Sequence, residues 1–268
     1  MKYNLAFKYR IYPNKEQELL INKTFGCVRF VYNTILYTAN KFYEETGKNK
    51  IITPASLKSE NQFLKEVDSL ALSNAQLNVK RSFTNFFQKR AKFPRFKSKK
   101  NNVKSYTTNC VNNSIRIEEN KYLVLPKLKK VKLKYHREIP KDYKIKSVTL
   151  TNSNGNYYVS VLTEFEKEIQ KMPSNDKVIG LDFSMSELFV SSENQRADYP
   201  RYFRMLEKKL KKLQKSLSRK VKFSKNWYKQ KAKISKLHEY IKNCRRDFLH
   251  KLSKKLSEMY NAVVVEDL

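Results

Sequence analysis

The sequence predicts an α+β protein: a β-barrel or curled sheet interrupted by a helical insertion, then a separate domain that opens on a short apolar strand and continues as a helical hairpin. Three observations predict it. Tyr3, Leu5, Phe7, Tyr9 and Ile11 alternate with Asn4, Ala6, Lys8 and Arg10, the period of a half-buried strand. Helical three/four spacing then runs through residues 14 to 93, and period two returns between Val103 and Glu166. One strand before the helices and several after them is most simply a sheet whose first strand is set apart by an insertion.

Taken in order, Pro13 stops the first strand. Asn14 with Gln17 predicts a capping box for a helix carrying Ile21, Phe25, Val28, Tyr32, Ile35, Ala39 and Phe42 on one face, and Gly47 ends it. Thr53-Pro54 predicts a second start, with Thr53 as cap, and Ser73 with Gln76 a further capping box ahead of Val79, Phe83 and Phe86. Pro94 closes the insertion and begins a basic, aromatic-bearing link, Phe93 to Lys100. Strands follow at Ile115 and Ile117, Tyr122 and Val124, Val131 to Tyr135, Val148 and Leu150, and Val159 and Val161, with Asn154-Gly155 as a type I′ hairpin turn. A new domain begins near residue 175 with Val178 to Asp182, a second strand at Leu188 to Val190 and a turn near Glu193-Asn194. Leucines 206, 210, 213 and 217 stripe one helix; Ile234, Leu237, Ile241, Cys244 and Phe248 stripe another, antiparallel to it. Ala262 to Val265 reads as a buried-type strand leading to Glu266.

A formal charge of +32, from 57 Lys and Arg against 25 Asp and Glu, exceeds what solubility requires and points to a polyanion. No run is long and apolar enough for a membrane span, and no signal-peptide core follows Met1, so the expectation is a cytoplasmic nucleic-acid-binding protein with no membrane partner. With 40% apolar residues, including 17 Tyr and 16 Phe, the chain can bury a core and is not a disordered basic tail. Cys27, Cys110 and Cys244 are too far apart to suggest a disulfide framework or a zinc site, even with the three histidines, and Gly26 and Gly180 form no phosphate-cradling loop. The cysteines are expected in the core.

Asp182 and Glu266 each end an apolar strand. A Mg²⁺-dependent phosphodiester nuclease of the RNase H type uses acids in that position, because hard cations take oxygen ligands and must flank the attacked phosphate. The pattern alone leaves open that both are ordinary solvated strand ends; Asp267 competes with Glu266, and Asp198 and Asp247 are the further acids nearby.

Several blocks resemble one family in its order: Tyr9-Arg10-Ile11-Tyr12-Pro13-Asn14 with Gln17, Thr24 to Cys27 before Arg29 to Asn33, Phe93-Pro94-Arg95-Phe96-Lys97, Gly180-Leu181-Asp182, Asp247 to Leu252, and Val264-Val265-Glu266-Asp267-Leu268. The chain resembles the TnpB (OrfB) proteins of insertion sequences, RNA-guided DNA endonucleases related to type V CRISPR effectors. The resemblance implies a wedge-type β-barrel (residues 1–13 and 101–170), an inserted helical recognition lobe (14–100) and an incomplete RNase H-like (RuvC) α/β domain (171–268) with its helical hairpin at 199–260. It implies a guide RNA, a double-stranded DNA target, Mg²⁺, and Asp182 and Glu266 as catalytic and metal-holding carboxylates. Ser184 departs from the glycine the family often has, and the family's third carboxylate and zinc ribbon are expected past Leu268.

Candidate nucleic-acid contacts are Lys8 and Arg10 on the first strand, Arg29 on the first helix, Arg95, Lys97, Lys99 and Lys100 in the basic link, Asn112 in a segment resembling one that touches the target-adjacent motif, and Lys208, Lys212 and Arg219 on the hairpin. A loop Asn is also an ordinary turn former, and a lysine stripe an ordinary solvated face. The expected activity is guided nucleic-acid binding without cleavage by this chain alone. The alternatives are a DNA-occupying repressor or RNA-binding protein, a basic protein held by charge, and a decayed or clipped gene product with no activity.

Overall fold

The alternation at the N-terminus forms β1 (Lys2–Tyr12), with Phe7, Tyr9 and Ile11 buried and the residues between them exposed. The computed structural model describes residues 1–100, 103–168, 177–184, 187–197 and 199–266, and the chain divides into two units, 1–168 and 169–268.

In the first unit, β1 sits inside a seven-stranded antiparallel sheet. The other strands are β2 (Val103–Asn109), β3 (Arg116–Glu118), β4 (Tyr122–Leu125), β5 (Lys129–Lys134), β6 (Lys144–Ser153) and β7 (Asn156–Glu166), in the order β2-β6-β7-β1-β5-β4-β3. β2 and β3 are the two edges, yet only Cys110–Ile115 joins them. Flat strands about 4.8 Å apart would put those edges about 29 Å from each other. The link spans at most about 25 Å fully extended, and a turn in which Ser114 N–H donates to Val111 O at 3.0 Å shortens it. The sheet must therefore curl until its edges approach, as the one-strand-then-several pattern anticipates. Asn154 and Gly155, at φ 52° and 81°, make the two-residue turn between β6 and β7.

Between β1 and β2 lie α1 (Lys15–Thr46), α2 (Pro54–Glu60), a short 3₁₀ turn and α3 (Ser69–Phe87). Asn14 and Gln17 form the expected reciprocal capping box, and Gly47 closes α1 in the left-handed conformation. Thr53 stands before Pro54, but its side chain makes no capping hydrogen bond. The expected capping box at Ser73 and Gln76 does not form. α3 starts earlier, at Asp68, whose carboxylate accepts from Leu70 N–H at 3.0 Å. Ser73 is inside the helix donating to Ser69 O, and Gln76 donates to Ile52 O instead. Val31, Ile35 and Leu36 of α1 and Leu72, Ala75 and Val79 of α3 are fully buried in the same cluster as Leu123, Val131, Val159 and Val161 of the sheet. Insertion and sheet thus share one core.

The second unit holds β8 (Val178–Phe183), β9 (Phe189–Ser191) and β10 (Ala262–Val265) in the order β10-β8-β9, with β8 and β9 antiparallel and β8 and β10 parallel. Between β9 and β10 come α4 (Tyr202–Ser218) and α5 (Lys225–Met259), which bury Leu210, Leu237 and Ile241 against each other. Gln230 ties the pair by donating to Leu213 O at 3.0 Å. β10 departs from its expected burial: Val263, Val264 and Val265 are 40%, 59% and 65% exposed, so the apolar run marks an edge strand and not a covered one. All three cysteines are free; only Cys27 is fully in the core.

Candidate carboxylate centre and nucleic-acid interface

Parallel pairing of β8 with β10 decides the placement of the two acids. Val264 stands opposite Gly180 and Val265 opposite Leu181, so the next residues along, Asp182 and Glu266, come abreast at the same end of adjacent strands. Residues abreast on neighbouring parallel strands share a face, about 5 Å apart at the backbone. The opposite edge of β8 is pinned by Ser192, whose hydroxyl accepts from Gly180 N–H at 3.1 Å and whose N–H donates to Gly180 O at 2.9 Å. Asp182 and Glu266 border one shallow depression of about 400 Å³ together with Leu181, Val190 and Val265.

Both acids are exposed, and neither forms an ion pair among the described residues, despite the excess of cations in the chain. Two acceptor-only groups side by side are a donor set that a hard divalent cation fits. No group of three or more His, Cys, Asp or Glu is gathered for a metal among the described residues. Asp247 is engaged with Lys251 on α5 at 2.7 Å, whereas Asp198 and Asp267 lie outside the described residues.

The candidate cations are spread over several elements. On the exposed face of β1, Lys8 lies over the Tyr158 ring at 4.8 Å, and Arg10 donates to Asn156 Oδ1 at 2.7 Å and stacks on Tyr12. Arg29 is half-buried on α1, while Arg95, Lys99 and Lys100 are exposed. Lys97 is fastened from both sides of its peptide: its N–H donates to Asn33 Oδ1 at 2.8 Å and its carbonyl accepts from Asn33 Nδ2 at 3.0 Å. Its side chain is exposed overall, yet the ammonium end lies 4.1 Å from the Tyr32 ring centroid, and that local burial holds its pKa below the usual lysine value. Asn112 and Asn113 both have positive φ, 48° and 54°, in the turn between β2 and β3, a conformation Asn tolerates. Lys208 and Lys212 are exposed one turn apart on α4, and Arg219 is exposed just past its end; Lys211 beside them is paired with Glu207 at 2.8 Å.

Against known proteins, residues 159–268 match a family model described as "Probable transposase" (OrfB, IS605), and residues 1–48 match its companion "Helix-turn-helix domain". The chain is 36% identical over 279 residues to the "Putative RNA-guided DNA endonuclease InsQ" of Escherichia coli (strain K12), covering 100% of this chain and 67% of the relative. The chain belongs to the TnpB (OrfB) family. A second family relative, the "Putative RNA-guided DNA endonuclease" of Streptomyces pristinaespiralis, is 34% identical over 98% of this chain and 66% of its own length. The chain thus spans about two thirds of the length of these TnpB relatives. Among solved structures, the fold is similar to that in the "Cryo-EM structure of the Cas12f1-sgRNA-target DNA complex", with a TM-score of 0.55, 12% identity, and coverage of 100% of this chain and 81% of that one. Over the helix-turn-helix match this TnpB-family chain has one strand and one uninterrupted helix, Lys15–Thr46, with no turn inside it.

Proposed function

We propose that the protein is an RNA-guided DNA-binding member of the TnpB family, in which Asp182 and Glu266 are the metal-holding carboxylates of a RuvC-type centre built on β8, β9 and β10. The observation that carries this reading is the parallel register that brings the two acids abreast at one strand end. In the same reading the curled sheet serves as the wedge-type barrel and α1 to α3 as the recognition lobe. The names of the relatives and the fold of the Cas12f1 complex support guide RNA and double-stranded DNA as partners.

Asp182 and Glu266 would hold Mg²⁺, which when bound supplies charge neutralisation at the attacked phosphate and activation of a water. A two-metal clamp takes more carboxylate oxygens than this pair offers, and no third acid is gathered beside it among the described residues. Guided binding, and not cutting, is the activity we propose for these residues by themselves.

The test adds the family's guide RNA, matched or mismatched duplex DNA, and Mg²⁺ to the purified chain. Guide-dependent binding of matched DNA without cleavage is expected. Cleavage that disappears in Asp182→Ala refutes the binding-only assignment while supporting the carboxylate site. Equal binding of every RNA and DNA, lost steeply with salt, refutes guided recognition and leaves a protein held by charge.

A further inference from the structure

One recess in the first unit gathers cations from three segments of the chain. Where α1, the Phe93 to Lys100 segment and the start of β2 meet, a cavity of about 190 Å³ is lined by Arg29, Lys97, Ser98, Lys104 and Ser105, with Phe25 and Val28 as its apolar wall. Each element contributes one cation, two contribute a hydroxyl, and no carboxylate lines the cavity.

The parts are held in place. Asn33, one turn beyond Arg29 on α1, clasps the Lys97 peptide through both of its hydrogen-bonding groups. Pro94 is buried, and Phe83 and Phe86 pack edge-on against Phe93 at 5.9 and 5.2 Å, so the segment carrying Lys97 and Ser98 is docked at its start as well. β2 is fixed beside them: Tyr106 meets Phe25 edge-on at 5.7 Å, and the Thr108 hydroxyl donates to Asp68. At the start of this edge strand Lys104 is half-buried and Ser105 exposed. The backbones that carry the three cations are thus held around the recess. The Lys97 ammonium is held below its usual basicity by burial.

We propose that this recess is a phosphodiester clamp, in which Arg29, Lys97 and Lys104 hold the anionic oxygens of one nucleic-acid backbone phosphate and Ser98 and Ser105 donate the remaining hydrogen bonds. The clamp rests on the nucleic-acid reading above for its ligand, but its anion chemistry is independent of any guide. Phosphate contacts fix register and orientation without reading sequence, so the clamp sets where the polymer lies on the first unit.

Two measurements on the full chain test it. Titration with inorganic phosphate, followed through backbone amide signals, is expected to give saturable shifts at Ser98, Lys104 and Ser105 that vanish in Lys104→Ala. They persist in Lys41→Ala, a control whose partner is Glu45 on the surface of α1. The salt dependence of binding is then measured for a DNA duplex and for a single-stranded RNA. Lys104→Ala should reduce the log–log slope by about 0.9 for the duplex or about 0.7 for the single strand, and the polymer that shows the loss is the source of the phosphate. Ser105→Ala should weaken that same polymer about tenfold, as for a lost hydrogen bond to a charged group, with its slope unchanged. No phosphate-dependent shift in the recess, or equal slope changes in Lys104→Ala and Lys41→Ala, overturns the clamp. Phosphate shifts in a chain that ignores its guide refute the preceding reading and leave the clamp standing; guided binding with a silent recess does the reverse.

Discussion

Replacing Asp68 with Ala should destabilise the first unit by about 3 kcal/mol, and the structure divides that figure into two parts. The carboxylate caps α3 by accepting from Leu70 N–H at 3.0 Å; losing a cap of this kind costs about 1 kcal/mol. Its other oxygen accepts from the Thr108 hydroxyl on β2, and Thr108 is only 2% exposed. Left without an acceptor, that buried hydroxyl costs roughly 1 to 3 kcal/mol more. In a unit of this length each kcal/mol lowers Tm by about 2 to 4 °C, which gives a drop of about 6 to 12 °C. Near-ultraviolet circular dichroism follows mainly the first unit, which holds 12 of the 17 tyrosines, and fluorescence of the single tryptophan, Trp227, follows the second and separates its contribution. Combining Asp68→Ala with Thr108→Val removes the orphaned hydroxyl and should recover all but the capping loss, leaving about 1 kcal/mol. If the double variant is no more stable than Asp68→Ala alone, or if the single variant loses under 1 kcal/mol, the proposed division is wrong.

Two glycine replacements should act with opposite sign by urea unfolding. Gly155→Ala forces a side chain into φ 81° and should lose about 1 kcal/mol, whereas Gly26→Ala, inside α1 with nothing within 4 Å of the new Cβ, should gain about 0.5 to 1 kcal/mol. Mg²⁺ at ten times its dissociation constant should stabilise the second unit by about 1.4 kcal/mol in the Trp227 signal, an effect lost in both Asp182→Asn and Glu266→Gln; persistence in either variant excludes that residue as a ligand. Lys97 binds an anion in its protonated form, and its depressed pKa lies below those of ordinary lysines. Nucleic-acid affinity should therefore begin to fall with rising pH before other lysines titrate, and Lys97→Arg should remove that early limb in a fluorescence-anisotropy titration.

Local chemistry made most of the fold legible. The alternation in Tyr3 to Ile11, the Asn14-Gln17 box, Gly47 and Asn154-Gly155 each encode a backbone geometry through a few neighbouring residues, and each is found in the structure. Ser73 and Gln76 mislead because a capping box is only a spacing: Asp68, five residues earlier, caps the helix through Leu70 N–H, and the bond from Thr108 that holds this carboxylate lies outside any local window. The valines of β10 announce a strand equally well whether it is covered or at an edge, so their exposure could not be read. At the site, apolar runs ending in Asp182 and Glu266 were visible, but that they come abreast depends on the β8–β10 register. Lys104 and Ser105 escaped notice altogether. Neither belongs to a motif, and the only hint was their position directly after the basic link, at the start of the edge strand that the link feeds.

The place of β1 in the sheet also imposes an order of events on synthesis. Its hydrogen-bonding partners, β5 and β7, begin only at Lys129 and Asn156, so β1 must wait for nearly the whole first unit to emerge. At about 5 to 20 residues per second the wait is of the order of ten seconds. Meanwhile α1 and α3 can already close on each other through Ile35, Leu36, Leu72 and Val79. A naked strand carrying Leu5, Phe7, Tyr9 and Ile11 is a template for association between nascent chains, and Lys2, Lys8 and Arg10 set along it are the kind of charge that keeps such strands apart. Lys8 and Arg10, proposed as nucleic-acid contacts in the finished protein, would thus also guard β1 while it waits for its partners.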